Sequence, residues 1–232
     1  MSLYTLRNIC IFGALYTLVV ISVGVWVRLT DAGLGCPDWP GCYGFISVPD
    51  TAEELSAIEE SFPGQVVEPG KAWREMIHRY IASLLGLLIL ILFVSEAFKK
   101  NKTVFSDNLN LKISLLLLLL VIFQGLLGMW TVTLKVHPFV VLAHLVGGLS
   151  TLSLLFVYLK RISAPTKPRA NFTGLLFFGF VLLIAQILLG GWTSTNYAAL
   201  GCPDLPLCYG QFWPSNMDIN EGFLMWQSFG KN

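Results

Sequence analysis

The sequence contains three histidines, His78, His137 and His144, and all of them lie in or beside long apolar stretches. An ionisable side chain inside a membrane span is a functional candidate by default, because lipid solvates it poorly. His78 and His144 belong to different stretches and fall at a similar depth, in the outer half of the membrane. Paired imidazoles on separate helices are typical of axial ligands to a haem iron. Two hydrogen-bonded core residues, or one ligand and one bystander, would give the same pattern. His137 precedes Pro138 at the start of a stretch and is predicted to be interfacial.

A carboxylate, Glu75, lies three residues before His78 and shares a helix face with it if the helix already includes position 75. Glu75 is either a first-turn carboxylate favoured by the helix dipole or a proton acceptor beside a ligand. Three arginines, Arg28, Arg74 and Arg79, cluster near the same membrane boundary. They either extend to the interface or pair with the propionates of a haem, since arginine binds carboxylates through two hydrogen bonds.

Four of the five cysteines form two pairs, Cys36 with Cys42 and Cys202 with Cys208. Both pairs are predicted on the outer side of the membrane, where paired cysteines are typical of disulfides. Each pair either staples a tight loop or forms a redox-active pair or a lid over a cofactor. A metal site is less favoured, because no histidine lies near either pair. Cys10 stands alone within the first span and is predicted to be a small buried apolar residue.

The cysteine pairs belong to an internal duplication. Residues 36–44 are Cys-Pro-Asp-Trp-Pro-Gly-Cys-Tyr-Gly and residues 202–210 are Cys-Pro-Asp-Leu-Pro-Leu-Cys-Tyr-Gly, so seven of nine positions match at an offset of 166. Parallel repeats are common in membrane bundles. The duplication predicts one complete four-helix unit over residues 1–160 and the start of a second unit over residues 161–232.

Hydropathy resolves five stretches that could cross a membrane as helices, each with about 20 mostly apolar residues. The predicted spans are Asn8–Val27, Ile77–Phe98, Ile113–Thr133, Phe139–Leu159 and Phe172–Trp192. With 55% hydrophobic and 12% charged residues, the chain has too little charge for the surface of a soluble domain. Its net charge of +1 leaves no basic excess for phosphates, which disfavours nucleic-acid binding. We therefore expect an all-α integral membrane protein, with a four-helix transmembrane bundle and a fifth span that begins a second repeat.

Loop charges predict how these spans are oriented. Most basic loop residues lie between the second and third spans or between the fourth and fifth: Lys99, Lys100, Lys102, Lys112, Lys160, Arg161, Lys167 and Arg169. Because basic loops stay in the cytoplasm, the N-terminus is predicted inside, and the first loop, residues 28–76, outside. The first span is too long for a cleaved signal and no transit segment precedes it, which favours a bacterial inner membrane.

A further motif, Gln124-x3-Gly128-x-Trp130, recurs from Gln186 near the end of the fifth span. Small residues let helices approach closely, and tryptophans are typical of the membrane interface. Helix packing is the favoured interpretation, and cofactor lining is the second.

Taken together, these residues resemble the haem A synthase family. The matching motifs are Arg28-Leu29-Thr30, Cys36-Pro37-Asp38-Trp39-Pro40, Glu75-x-x-His78-Arg79, Gln124-Gly125-x-x-Gly128, His144-Leu145, Gly191-Trp192-Thr193-Ser194-Thr195-Asn196-Tyr197 and the second cysteine motif. The resemblance extends over essentially the whole chain.

The resemblance implies an eight-helix protein of two four-helix halves, which oxidises a ring methyl of haem O to the formyl group of haem A for haem-copper oxidases. One half would hold the substrate haem and the other a haem b cofactor, each between two histidines. By this resemblance, His78 and His144 are the first-half pair, Glu75 is the catalytic carboxylate, and Cys36 with Cys42 form a disulfide associated with catalysis. It also implies haem O synthase as an upstream partner and an electron acceptor of undefined identity, and it allows a homo-oligomer.

Adding the repeat offset to Glu75, His78 and His144 gives positions of about 241, 244 and 310. All three lie beyond Asn232, so we expect this chain to stop early in its second repeat and to bind at most the first-half haem. Two other classes share part of the pattern. A non-catalytic b-type cytochrome or haem carrier would use the histidines without Glu75, and a membrane thiol oxidoreductase would use the cysteines without His78.

Overall fold

The computed structural model describes residues 3–99, 108–163, 173–198, 200–204 and 206–215. Its helices are α1 (Leu3–Leu29), α2 (Ala52–Ser61), α3 (Pro69–Ala97), α4 (Asn108–Thr133), α5 (Pro138–Ser163) and α6 (Gly174–Thr195). Apart from two isolated β-bridges, the regular structure of the described residues is helical. Several basic residues used for orientation lie outside the described residues: Lys100, Lys102, Lys167 and Arg169. Residues 216–232 of the predicted second unit also lie outside them.

Five of these helices, α1, α3, α4, α5 and α6, are long and apolar enough to cross a membrane. This confirms the prediction of an all-α integral membrane protein. The largest difference from the predicted spans is at α3, which begins at Pro69 rather than at Ile77. Hydropathy missed its first turns because they carry charged side chains, although proline is favourable in a first helical turn. His78 therefore lies well inside the helix, and Glu75 belongs to the same helix.

The helix α2 was not predicted, since it lies in the loop between the first two spans and is too polar to count as a span. Thr51 caps its N-terminus: the Thr51 side chain accepts from the backbone N–H of Glu54, and the Glu54 carboxylate accepts from the backbone N–H of Thr51. This reciprocal capping box is a local signal for a helix start. Ile58 is the buried residue of α2 and packs in a cluster with residues of the loop and of α3.

The described residues fall into two units, one within Met1–Lys135 and His144–Lys167 and the other within Val136–Ala143 and Pro168–Asn232. In the first unit, side chains from α1, α3, α4 and α5 form one apolar core. Cys10, Ile89, Leu117 and Leu155 are fully buried there. Cys10 is a free thiol, as predicted for a small apolar residue.

Polar contacts join α5 to its neighbours at the end of the bundle near Glu96. The hydroxyl of Tyr158 donates to Oε1 of Glu96 at 2.8 Å, and Nε of Arg161 donates to Oδ1 of Asn110 at 2.8 Å. Glu96 also pairs with Lys99 at 3.4 Å. Glu96, Asn110 and Tyr158 are all buried, so these contacts satisfy polar groups that would otherwise be costly in the core.

A second, smaller cluster lies under the loop that follows α1. It contains Cys36, Cys42, Tyr43, Val48, Ile58, Ala72 and Met76. Its members come from the loop, from α2 and from the first turns of α3. One face of α3 before His78, with Ala72, Glu75 and Met76, is therefore buried, whereas Trp73 is exposed.

Candidate functional site

The structure brings His78 of α3 and His144 of α5 together. Their ring centroids lie 6.4 Å apart, and the ring planes are almost perpendicular, at 84°. The Nδ1 atoms of both rings are buried without a hydrogen-bond partner among the described residues. Buried polar atoms without a partner are uncommon in proteins. A pair of facing imidazoles with unused hydrogen-bonding capacity fits a site that is completed by a ligand.

Two glycines leave room for these imidazoles. A Cβ atom at Gly24 of α1 would lie 2.9 Å from Cε1 of His78, which is too close for a real contact. A Cβ atom at Gly128 of α4 would lie 3.7 Å from Cε1 of His144. Each ring is therefore packed against a helix that presents no side chain at that point. The sequence does not identify Gly24 as part of this site, because its role depends on the rotation of α1.

Gln124 connects α4 to the backbone of α5 at the second histidine. Its Nε2 atom donates to the carbonyl oxygen of His144 at 3.0 Å. Gly147, one helical turn further along α5, has no side chain to collide with the Gln124 amide. Helix packing was the favoured interpretation of the Gln124 motif, and this interhelical hydrogen bond agrees with it. The signal in the sequence was a polar side chain inside an apolar span.

Glu75 lies one helical turn before His78 and is buried, with 4% of its surface exposed. Both of its carboxylate oxygens have partners. Oε2 accepts from the backbone N–H of Cys36 at 3.0 Å, and Oε1 pairs with the guanidinium of Arg79 on the next turn. Both oxygens of this buried carboxylate are therefore held by protein donors, one from the loop and one from α3.

The loop that contains Cys36 and Cys42 packs directly on α3. The two cysteines form a disulfide with a Cα–Cα distance of 4.8 Å, and both are fully buried. A Cβ atom at Gly35 would lie 2.6 Å from the backbone carbon of Lys71, so only glycine allows this close approach. The loop thus covers the Glu75 end of α3.

The turn that follows the disulfide is held by Asp38. Its carboxylate accepts from the backbone N–H groups of Tyr43 at 2.6 Å and Gly44 at 2.7 Å. Burial raises the pKa of the Tyr43 hydroxyl, and the nearby carboxylates of Glu68, Asp38 and Glu75 raise it further. The Tyr43 phenol is therefore neutral and stays so at physiological pH.

The remaining predicted site residues lie on α1, on α3 and at the start of α5. The guanidinium of Arg74 lies over the ring of Trp26, 5.4 Å from its centroid, which is a cation–π arrangement. Arg28 belongs to the last turn of α1. His137 directly precedes α5, and its carbonyl oxygen accepts from the backbone N–H of Val141.

The second cysteine loop has the same local conformation as the first. Cys202 and Cys208 form a disulfide with a Cα–Cα distance of 4.7 Å. Asp204 accepts from the backbone N–H groups of Tyr209 at 2.7 Å and Gly210 at 2.8 Å. The difference is in burial, because Cys202 is exposed whereas Cys36 is fully buried.

The fold and the site define a class: a multi-pass α-helical membrane protein with two facing histidines beside a buried carboxylate and a disulfide-closed loop. Residues 7–229 match the family described as cytochrome oxidase assembly protein, COX15-CtaA. The chain belongs to this family.

Curated relatives point in the same direction. A heme A synthase of Shewanella oneidensis is 50% identical over 217 residues, which cover 91% of this chain and 63% of the relative. A heme A synthase of Halalkalibacterium halodurans is 29% identical, with coverage of 90% and 66%. One of Alkalihalophilus pseudofirmus is 30% identical, with coverage of 85% and 62%. The chain therefore spans a little less than two thirds of the length of these relatives. No solved structure matches the chain significantly.

Proposed function

We propose that this chain is part of a haem A synthase, an oxidoreductase that converts a methyl group of haem O into the formyl group of haem A. The observation that carries the proposal is the facing pair His78 and His144 with Glu75 one turn away on α3. Membership of the cytochrome oxidase assembly family supports it, as does the name of the relative that is 50% identical. Haem O is the substrate and haem A the product in this proposal.

In the proposed site, His78 and His144 would hold the iron of the substrate haem through their imidazole nitrogens. Gly24 and Gly128 give the two rings space, and Gln124 fixes the backbone of α5 at His144. Conversion of a methyl to a formyl group removes hydrogen and adds one oxygen atom. The iron and the conjugated ring of the haem supply the electronic part of this chemistry. Glu75 accepts a proton or orients water beside the reacting group.

The arginines near the site are assigned to the substrate carboxylates. Arg28 and Arg74 are proposed to reach the propionates, because arginine binds a carboxylate with two parallel hydrogen bonds. The Cys36–Cys42 loop covers this end of the site. A haem b cofactor is assigned to the second four-helix half of the family architecture, which begins within residues 161–232, and it would carry electrons away from the substrate.

The proposed setting is the bacterial inner membrane, with the N-terminus in the cytoplasm and both cysteine loops on the outer face. The basic residues Lys99, Lys112, Lys160 and Arg161 support this orientation. Haem O synthase is the proposed upstream partner, since it would supply the substrate. A homo-oligomer is compatible with the proposal.

The test is Glu75→Gln in the chain expressed from its complete reading frame, in cells that supply haem O. Glutamine keeps the size of the side chain and one of its two hydrogen-bond acceptors but accepts no proton at working pH, so haem binding is retained and haem A formation is lost. Glu59→Gln is the matched control, because Glu59 is an exposed carboxylate on α2. Pigment extraction measures haem O and haem A.

A normal yield of haem A from Glu75→Gln would show that Glu75 has no part in the mechanism. If the wild type binds haem but does not convert haem O to haem A, the protein is better described as a haem carrier.

A further inference from the structure

The side chain of Arg79 connects α3 to the Cys36–Cys42 loop. Nη1 donates to the carbonyl oxygen of Pro40 at 3.2 Å and also to that of Gly41. Nη2 donates to Oε1 of Glu75. The Arg79 side chain is 12% exposed; its contacts with Gly41 and Glu75 are partly buried, and its contact with Pro40 is exposed. One guanidinium thus holds a carboxylate on its own helix and two carbonyls of a loop that is 38 and 39 residues away in sequence.

The loop holds the same carboxylate from the other side. The backbone N–H of Cys36 donates to Oε2 of Glu75 at 3.0 Å, and Gly35 lies against the backbone of α3. Glu75 is therefore fixed between an amide of the loop and the arginine that binds the loop. Loss of the Cys36 contact or of the Arg79 contact would therefore both loosen the loop and free the carboxylate of Glu75.

The second cysteine loop provides a comparison within the same chain. It has the same spacing of cysteines, the same aspartate-held turn and the same disulfide. Its first cysteine, Cys202, is exposed, whereas Cys36 is fully buried. Cys36 itself packs on α3: its backbone N–H donates to Glu75, and it shares a buried cluster with Ala72 and Met76 of that helix.

From these contacts we propose that Arg79 is a positioning residue, which closes the Cys36–Cys42 loop onto α3 and thereby fixes the carboxylate of Glu75. The importance of Glu75 for chemistry rests on the proposed function, whereas the closure of the loop does not. Arginine suits this role because its planar fork can serve several acceptors at once, and the single ammonium group of lysine cannot do so in the same geometry. This assignment differs from the sequence-based prediction that Arg79 binds a haem propionate, because its guanidinium is already engaged by protein acceptors.

The first measurement is the rate at which each disulfide is reduced by a phosphine in the folded protein, expressed from its complete reading frame in membranes. Alkylation of the released thiols and peptide mass analysis distinguish Cys36–Cys42 from Cys202–Cys208. Arg79→Gln is expected to accelerate reduction of the first pair by about tenfold or more, because reduction requires local opening of the loop. Arg79→Lys is expected to give an intermediate rate. The second pair should keep its rate in both variants.

Lys71→Gln is the matched control, since Lys71 is a basic residue on the same helix whose ammonium group pairs with Glu68 rather than with the loop. It should leave the reduction of Cys36–Cys42 unchanged. Equal acceleration of both disulfides in Arg79→Gln would indicate general unfolding and would overturn the proposal. An unchanged rate for Cys36–Cys42 would overturn it as well.

Kinetics with haem O provide the second measurement. A positioning role predicts that Arg79→Gln lowers kcat by about tenfold or more with little change in KM, and that Arg79→Lys recovers part of kcat. Weaker haem binding with an undisturbed loop would instead identify Arg79 as a propionate ligand, against the proposal. Absence of haem A formation in the wild type would refute the proposed function alone, because the disulfide measurement does not depend on turnover.

Discussion

At the scale of single residues, the space around each imidazole is set by a glycine on a neighbouring helix. Gly24 allows His78 to lie against α1, and Gly128 allows His144 to lie against α4. A haem ligand must hold its ring in one orientation, and packing against a helix backbone restricts the ring more than contact with a flexible side chain would. The glycines therefore contribute to the site without touching a ligand.

Gly24→Ala tests this packing. The added methyl would lie 2.9 Å from the His78 ring, and overpacking of this kind costs about 1–3 kcal/mol. Haem affinity should fall by about tenfold, measured by titration of the purified protein. Gly125→Ala is the matched control, since a Cβ there meets nothing within 4 Å and the gain in helix propensity is the same. Equal affinity in the two variants would show that Gly24 does not set the position of His78.

The types of residue in the site could be predicted from the sequence, but several of their contacts could not. Histidine in an apolar span and paired cysteines are unusual enough to be recognised by type and spacing. The partner of Arg79 depends on a loop that folds back over about 39 residues, and the role of Gly24 depends on helix rotation. Neither leaves a local pattern in the sequence.

At the scale of elements, α5 is joined to α3 by a buried hydrogen bond far from the histidines. The hydroxyl of Tyr158 donates to the buried carboxylate of Glu96. Removal of one partner leaves the other buried and unsatisfied, which costs more than the hydrogen bond itself contributes. This contact fixes the helix that carries His144.

Tyr158→Phe should therefore lower stability by about 1–3 kcal/mol, seen as a lower thermal midpoint in detergent. Tyr16→Phe is the control, because Tyr16 is a partly buried tyrosine that packs against the same core. If both variants melt at the wild-type temperature, the Tyr158–Glu96 contact does not stabilise the bundle.

The helix α2 has a capping box whose strength depends on pH. Hydrogen bonds from the backbone of Thr51 and Asp50, and from the Thr51 side chain, lower the pKa of Glu54 from its ordinary value of 4.5. A carboxylate with a lowered pKa in the folded state stabilises that state above its unfolded pKa, and the effect disappears as the pH falls through the folded pKa. The N-terminus of α2 is therefore expected to fray in acid.

Hydrogen exchange of the α2 amides, corrected for intrinsic rates, measures this fraying. In the wild type, protection should decrease between about pH 6 and about pH 3.5, a range that includes the ordinary carboxyl pKa. Glu54→Gln keeps an acceptor for the capping box and should remove the pH dependence. Thr51→Ala should weaken protection at both pH values, since loss of such a cap costs about 1 kcal/mol. The same pH dependence in Glu54→Gln as in the wild type would exclude Glu54 as its source.

Element boundaries were harder to predict than the elements themselves. The five spans are apolar enough to be recognised by hydropathy alone. The first turns of α3 and the whole of α2 are polar; α2 begins at a capping box and α3 begins at Pro69. Thr51 and Glu54 have the spacing of a capping box, from which the start of α2 could have been predicted. The packing of the loop on α3 joins residues that are distant in sequence, so no local pattern predicts it.

At the scale of the whole molecule, the duplicated motif gives two loops with one conformation and different surroundings. The first loop closes over Glu75 of α3 in the first unit, next to the histidine pair. The second belongs to the other unit, and its disulfide is more exposed. Duplication thus explains the shared conformation of the two loops, and the first loop is held against α3 by contacts with Glu75 and Arg79.

The central claim is that His78 and His144 together hold a haem, and its most direct test is haem content per polypeptide in three histidine variants. His78→Ala and His144→Ala should each lose the low-spin absorption of a bis-histidine haem, because one axial ligand is missing. His137→Ala should keep most of it, since His137 directly precedes α5 and is predicted to be interfacial. Equal loss of haem in all three variants, or full retention in either of the first two, would contradict the pairing of His78 with His144.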